Sequence, residues 1–216
     1  VFVSFEGIDG SGKTTLSGAV AQELRNRGAD VVLFQKKTVP VDADPYVQHH
    51  LAALGRLIWD DADQQPIHLL GDEHWVRLMA AYFAAVHEAV IQPAVQSGRT
   101  VVTDNWYFKF FARMTINTGY RLEDFEKVFG GVGQPTEVVY LDVDPAVASA
   151  RKGTFTRGEL GEHQRDGAND GFVGYQSKVA AFYRELAADG QWRCIQPGAL
   201  TPAELAAKVV DQLAWR

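Results

Sequence analysis

Four residues near the start of the chain carry most of a chemical instruction. Gly7, Gly12, Lys13 and Thr14 match G-x-x-x-x-G-K-[ST] without a mismatch, inside FEGIDGSGKTT at 5–15. Glycines let consecutive backbone N–H groups turn toward one anion, and the helix that follows presents its positive end to the same point. Gly7, Asp9, Gly10, Ser11 and Gly12 would thus form the ATP loop, Lys13 would reach the β- and γ-phosphates, Thr14 would ligate Mg2+, and Thr15 would add a hydroxyl. Transfer of a phosphoryl group also needs a carboxylate at a neighbouring strand end, to organise the metal or the acceptor. Asp104, closing TVVTD, is the candidate, with a helix N-cap as its structural alternative. No N-K-x-D base-reading motif occurs, which argues against a GTPase.

Such a loop works only between a strand and a helix. VFVSFE (1–6) reads as a strand that stops at Gly7, and a helix is expected from Lys13 to Gly28. DVVLFQ (30–35), RTVVTD (99–104), TEVVYLDV (136–143) and WRCIQ (192–196) read as further strands. Pro40, Pro45 and Pro66 punctuate a segment with a helix expected around Val47 to Trp59. A long helix is expected from Asp72 toward Ser97, bent at its last turn by Pro93, with Trp75, Leu78, Met79, Tyr82, Phe83, Val86 and Val90 as its apolar stripe. Thr201, Pro202 and Glu204 form a capping box for the last helix. Buried apolar runs, each followed by a helix, imply an α/β fold: a five-stranded parallel sheet with helices on both faces, in one domain spanning 1–216.

Composition narrows the function classes. A net charge of −6 does not suggest a nucleic-acid-binding face. One cysteine, Cys194, excludes an internal disulfide and a cysteine-rich zinc site, and reads as an inert thiol of a reducing compartment. The first residues lack the charged head of a secretory signal, and no run approaches about 18 consecutive apolar residues, so neither export nor a membrane span is expected. The expected setting is the cytoplasm. The six histidines show no metal-binding spacing and read as structural or solvated.

With these segments in order, the sequence resembles the thymidylate kinases, within the nucleoside monophosphate kinases. FEGIDGSGKTT resembles that family's phosphate loop, including Asp9 at the position that faces the acceptor sugar. VIQPAVQSGRTVVTD (90–104) resembles the helix end and third strand, VVYLDVDP (138–145) the fourth strand, and TRGEL (156–160) with YQSKVAAFYRELA (175–187) the mobile lid and the helix behind it. The resemblance implies a basic lid over about 151–167, with Arg151, Arg157 and Arg165 stabilising the transferring group, ATP and Mg2+ as cofactors, and a homodimer. Asp142 ranks second as a catalytic carboxylate, and Pro197–Gly198–Ala199 resembles the loop that touches adenine through its backbone.

The departures from the family gather on the acceptor side. Asn105 stands where the family follows its aspartate with an acceptor-phosphate arginine. Lys36 and Lys37 replace a second arginine element after the second strand, and lysine lacks the bidentate fork. Met79 and Phe83 stand at the base-stacking and base-reading positions, and Trp106 heads an aromatic run that lines a new pocket or packs a helix. The expectation is therefore a Mg2+-ATP-dependent small-molecule kinase acting on a nucleotide, nucleoside or related metabolite other than ordinary thymidylate. Its alternatives are a thymidylate kinase with a compensated acceptor site, or a nucleotide-binding module without transfer. No nucleic-acid or membrane partner is expected.

Overall fold

The computed structural model describes residues 1–35, 43–60, 67–162 and 170–215. Five strands form one sheet in the order β2-β3-β1-β4-β5: β1 (Phe2–Glu6), β2 (Val31–Phe34), β3 (Thr100–Thr103), β4 (Glu137–Leu141) and β5 (Arg193–Ile195). All neighbours are parallel, as the buried apolar runs imply. Ten α-helices connect and cover them among the described residues: α1 (Lys13–Asn26), α2 (Pro45–Gly55), α3 (Asp72–Val86), α4 (Gln92–Gln96), α5 (Phe108–Thr118), α6 (Leu122–Phe129), α7 (Pro145–Lys152), α8 (Arg157–Leu160), α9 (Gly171–Leu186) and α10 (Pro202–Gln212).

The pleat of β1 sorts the core. Val3 and Phe5 join Leu16, Val20 and Leu24 of α1 and Leu205, Val209 and Val210 of α10 in one apolar cluster. Phe2 points the other way, into a cluster built from α3, α5 and α6. Helices thus cover both faces. Because β1 lies between β3 and β4, the chain order reverses beside it, and a crevice opens beyond the strand ends there. Ser4 is in register with Thr103, so the loop that begins at Gly7 and the carboxylate of Asp104 follow adjacent strands at the same end of the sheet.

Two helices differ from expectation. α2 starts at Pro45, because Asp44 caps it by accepting from the Tyr46 N–H at 2.8 Å and proline needs no partner at the first helical position. The long helix is interrupted: a π-turn over His87–Ile91 separates α3 from α4. Pro93 supplies no N–H to the carbonyl of Ala89, and the widened turn just before it absorbs that mismatch. Asp72–Gln96 as a whole is long and apolar enough to cross a membrane by length and composition, yet Val76, Met79, Phe83, Val86 and Ile91 pack into the second core cluster. Cys194, expected inside an apolar strand, is exposed on the edge strand β5.

Candidate active site

The loop after β1 is shaped by close backbone contacts. Gly10 (φ 74°) and Gly12 (φ 95°) adopt left-handed conformations. A Cβ on Gly10 would sit 2.8 Å from the Ala148 carbonyl oxygen of α7, and one on Gly7 would sit 2.9 Å from the Leu141 carbonyl oxygen and from Ser11 Oγ. Ser11 and Gly7 therefore lie beneath the cradle, while Asp9, Gly10, Gly12, Lys13, Thr14 and Thr15 line a cavity of about 490 Å3. Lys13 Nζ donates to the carbonyls of Gly7 at 2.8 Å and Ile8 at 2.7 Å, which holds the ammonium at the mouth of the loop. Burial, and then the charge of Lys109, lower the Lys13 ammonium to about 8 against the pull of Asp9, Glu6 and Asp104.

Asp104 faces this loop from the end of β3. Its Oδ2 accepts from Thr14 Oγ1 at 2.8 Å. Its Oδ1 is buried and has no hydrogen-bond partner among the described residues. A carboxylate oxygen without a donor, beside a hydroxyl on the phosphate loop, is the hard-oxygen pair that Mg2+ accepts. The residues present therefore fit a metal held by Thr14 and Asp104.

The opposite wall is charged. Asp9 Oδ1 accepts from Lys109 Nζ, and Oδ2 accepts from Arg113 Nη2 at 2.9 Å and from Gln176 Nε2 at 3.3 Å. Burial alone would raise this carboxyl, but Lys109, Arg113 and Lys13 together hold it well below the usual carboxylate range. Gln176 also accepts from the Asp9 N–H at 3.1 Å and donates to the Glu159 carbonyl at 3.1 Å, joining the phosphate loop to α8. Beneath the loop, Glu6 accepts from Ser4 Oγ at 2.6 Å, the Trp106 N–H at 2.7 Å and the Tyr183 hydroxyl at 3.1 Å. Burial raises the Glu6 carboxyl, opposed by those hydrogen bonds and by Lys13.

The structure gathers some of the anticipated side chains and not others. Asn105 and Arg151 line the cavity, together with Lys152, which pairs with Glu159 at 3.1 Å. Arg151 and Lys152 belong to the last turn of α7 rather than to a free loop. Arg157 does not line the cavity and pairs with Glu162 at 2.9 Å. Met79, Phe83 and Trp106, expected at the acceptor, are instead core residues exposed by 7%, 4% and 1%. The Phe83 ring meets Trp106 edge-on at 4.8 Å, and the Trp106 indole N–H is satisfied by the Gly133 carbonyl at 3.1 Å, so packing claims all three. Lys36, Lys37 and Arg165 lie outside the described residues. Asp142 is bound by Arg184 at 2.7 Å and does not line the cavity. Sequence reasoning passed over Lys109, Arg113, Gln176 and Glu6. The available signal was the pair of cations four apart inside the aromatic run FKFFARM (108–114), which places both on one helix face.

The thymidylate kinase of Halorhodospira halophila is 31% identical over 220 residues, covering 98% of this chain and 94% of that protein. The chain belongs to the thymidylate kinase family. The probable thymidylate kinase of Pyrococcus abyssi is 30% identical over 86% of this chain and 82% of its own length, and the thymidylate kinase of Burkholderia cenocepacia strain J2315 is 33% identical over 76% of each. No family model matches the chain. A thymidylate kinase-like chain with an intact phosphate loop is an ATP-dependent nucleotide kinase. These relatives lend no support to the expectation of an acceptor other than thymidylate.

Proposed function

We propose that this protein transfers the γ-phosphoryl group of ATP to thymidylate, in the presence of Mg2+, as one kinase domain in the cytoplasm. The observation that carries this reading is the continuous cavity from Gly12–Thr15 to Asp104, Asn105 and Lys109, with relatives of that name over nearly the whole chain. An oxygen of the acceptor phosphate attacks the γ-phosphorus. Its new P–O bond forms as the bond from the γ-phosphorus to the β–γ bridging oxygen breaks, and ADP leaves with that electron pair. Lys13 and the loop N–H groups hold the donor phosphates, and Arg151 and Lys152 face the charge that develops on the transferring group. Thr14 and Asp104 would hold Mg2+, which when bound would supply charge neutralisation at the donor oxygens. Asp9 receives a sugar hydroxyl.

The test is ADP formation from Mg2+-ATP against thymidylate, other nucleoside monophosphates, free nucleosides and small hydroxylated metabolites. Thymidylate is expected to turn over, and Asp104→Ala is expected to lower kcat by about 100-fold or more. Asn105 in the cavity and the burial of Phe83 favour a second reading, an acceptor other than thymidylate. Turnover of another acceptor with thymidylate inert selects that reading, and ATP binding with no turnover on any acceptor rejects both. The homodimer implied by the resemblance is tested by sedimentation of the purified chain.

A further inference from the structure

Asn105 carries no charge, yet a phosphate monoester needs a cation on the acceptor side of the cavity. The described residues supply one from another element. Lys109 and Arg113 project from one face of α5 onto the same carboxylate, Asp9. Lys109 also lines the cavity beside Asn105, whose Oδ1 is buried without a hydrogen-bond partner among the described residues. Two cations on one carboxylate leave a surplus of positive charge facing the acceptor space. We propose that Lys109 is the acceptor-phosphate contact of this kinase and that Arg113 is its positioning partner, so that the acceptor is recognised as a phosphate monoester.

The arrangement explains why both cations are needed. A carboxylate as buried as Asp9 is costly to strand without a partner. When Lys109 turns to an incoming phosphate, Arg113 and Gln176 keep Oδ2 of Asp9 neutralised and hydrogen-bonded. Oδ1 is then released, and it can accept from a hydroxyl of the acceptor sugar. An ammonium has three N–H donors, so Lys109, once turned from Asp9, has donors for the oxygens of the phosphate. Lys109 and Lys13 line the same cavity, and the charge of Lys109 opposes that of the Lys13 ammonium. A phosphate between them screens that repulsion.

This inference rests on the kinase reading but can fail separately. In the full-length chain, wild type, Lys109→Met and Lys109→Arg are compared by titrating thymidylate and thymidine in a calorimeter without ATP, and by varying thymidylate and ATP in turn in the ADP assay. Lys109→Met is expected to weaken thymidylate binding and raise its KM by about 10- to 100-fold, the range for a hydrogen bond to a charged group. The KM for ATP should move by less than about threefold, and Lys109→Arg should recover most of the loss. Binding of thymidine should be nearly indifferent to the substitution. An unchanged thymidylate KM in Lys109→Met, or an equal loss for ATP, overturns the assignment while leaving the kinase intact. Preferential turnover of free thymidine by wild type does the same. Failure of wild type to turn over any acceptor, monophosphate or nucleoside, rejects the assignment and the kinase reading together.

Discussion

Lys13 is positioned by two carbonyls and placed in a setting that disfavours its charge. Its ammonium, lowered to about 8 by burial and by Lys109, is protonated below that value and neutral above it. Only the charged form attracts the polyphosphate. The value of kcat/KM for ATP, which reports the free enzyme, is therefore expected to fall as pH rises through about 8. A profile flat to pH 10 would show the ammonium to be stabilised by something else. At this scale the loop that lines the cavity was legible, because its glycines, lysine and threonines are contiguous in sequence. The charged wall around Asp9 was not, beyond Asp9 itself. Lys109, Arg113 and Gln176 reach Asp9 from two other segments, and no spacing rule joins position 9 to position 176.

At the scale of elements, the five strands were legible from β-branched runs, and α10 from its capping box, in which Glu204 accepts from the Thr201 N–H at 2.8 Å. The π-turn before Pro93 was hidden, since proline announces a defect without saying how the turn relieves it. The aromatic stretch after Asp104 was ambiguous for a different reason. Apolar rings at helical spacing serve a pocket and a core equally well, and only the arrival of Phe2, Phe83 and Phe129 around Trp106 and Tyr107 decides. This predicts a division between neighbours. Phe83→Ala should lower unfolding free energy by about 3–5 kcal/mol in a urea titration, as for large core truncations. Asn105→Ala, on the cavity wall, should change stability by no more than about 0.5 kcal/mol while altering acceptor kinetics. A mild Phe83→Ala phenotype with a large acceptor KM effect would return that ring to the pocket.

The whole molecule carries a net charge of −6, but its cavity does not share that sign. Among the described residues, Lys13, Lys109, Arg151 and Lys152 face Asp9 and Asp104 there, four cations against two carboxylates. An acidic exterior around a basic cleft guides anionic substrates inward and repels them elsewhere. Mg2+-ATP binding at about 100 times its Kd should add about 2.7 kcal/mol of stability and raise Tm by roughly 5–10 °C. Chelating the metal, or replacing Thr14 by Val, should shrink that shift. Fold class was legible at this scale because alternation of strand and helix is written along the chain, whereas the sign of the cleft emerges only when distant segments meet. The exposed thiol on the edge strand has a practical consequence. Cys194 is the sole cysteine, so one maleimide dye attaches at a known place without any engineered change. Partial desolvation of its sulfur and the charge of Asp142 push that thiol up, so the coupling at neutral pH is slow and takes a longer incubation. A dye there, paired with a fluorescent nucleotide analogue, would give an optical ruler across the sheet.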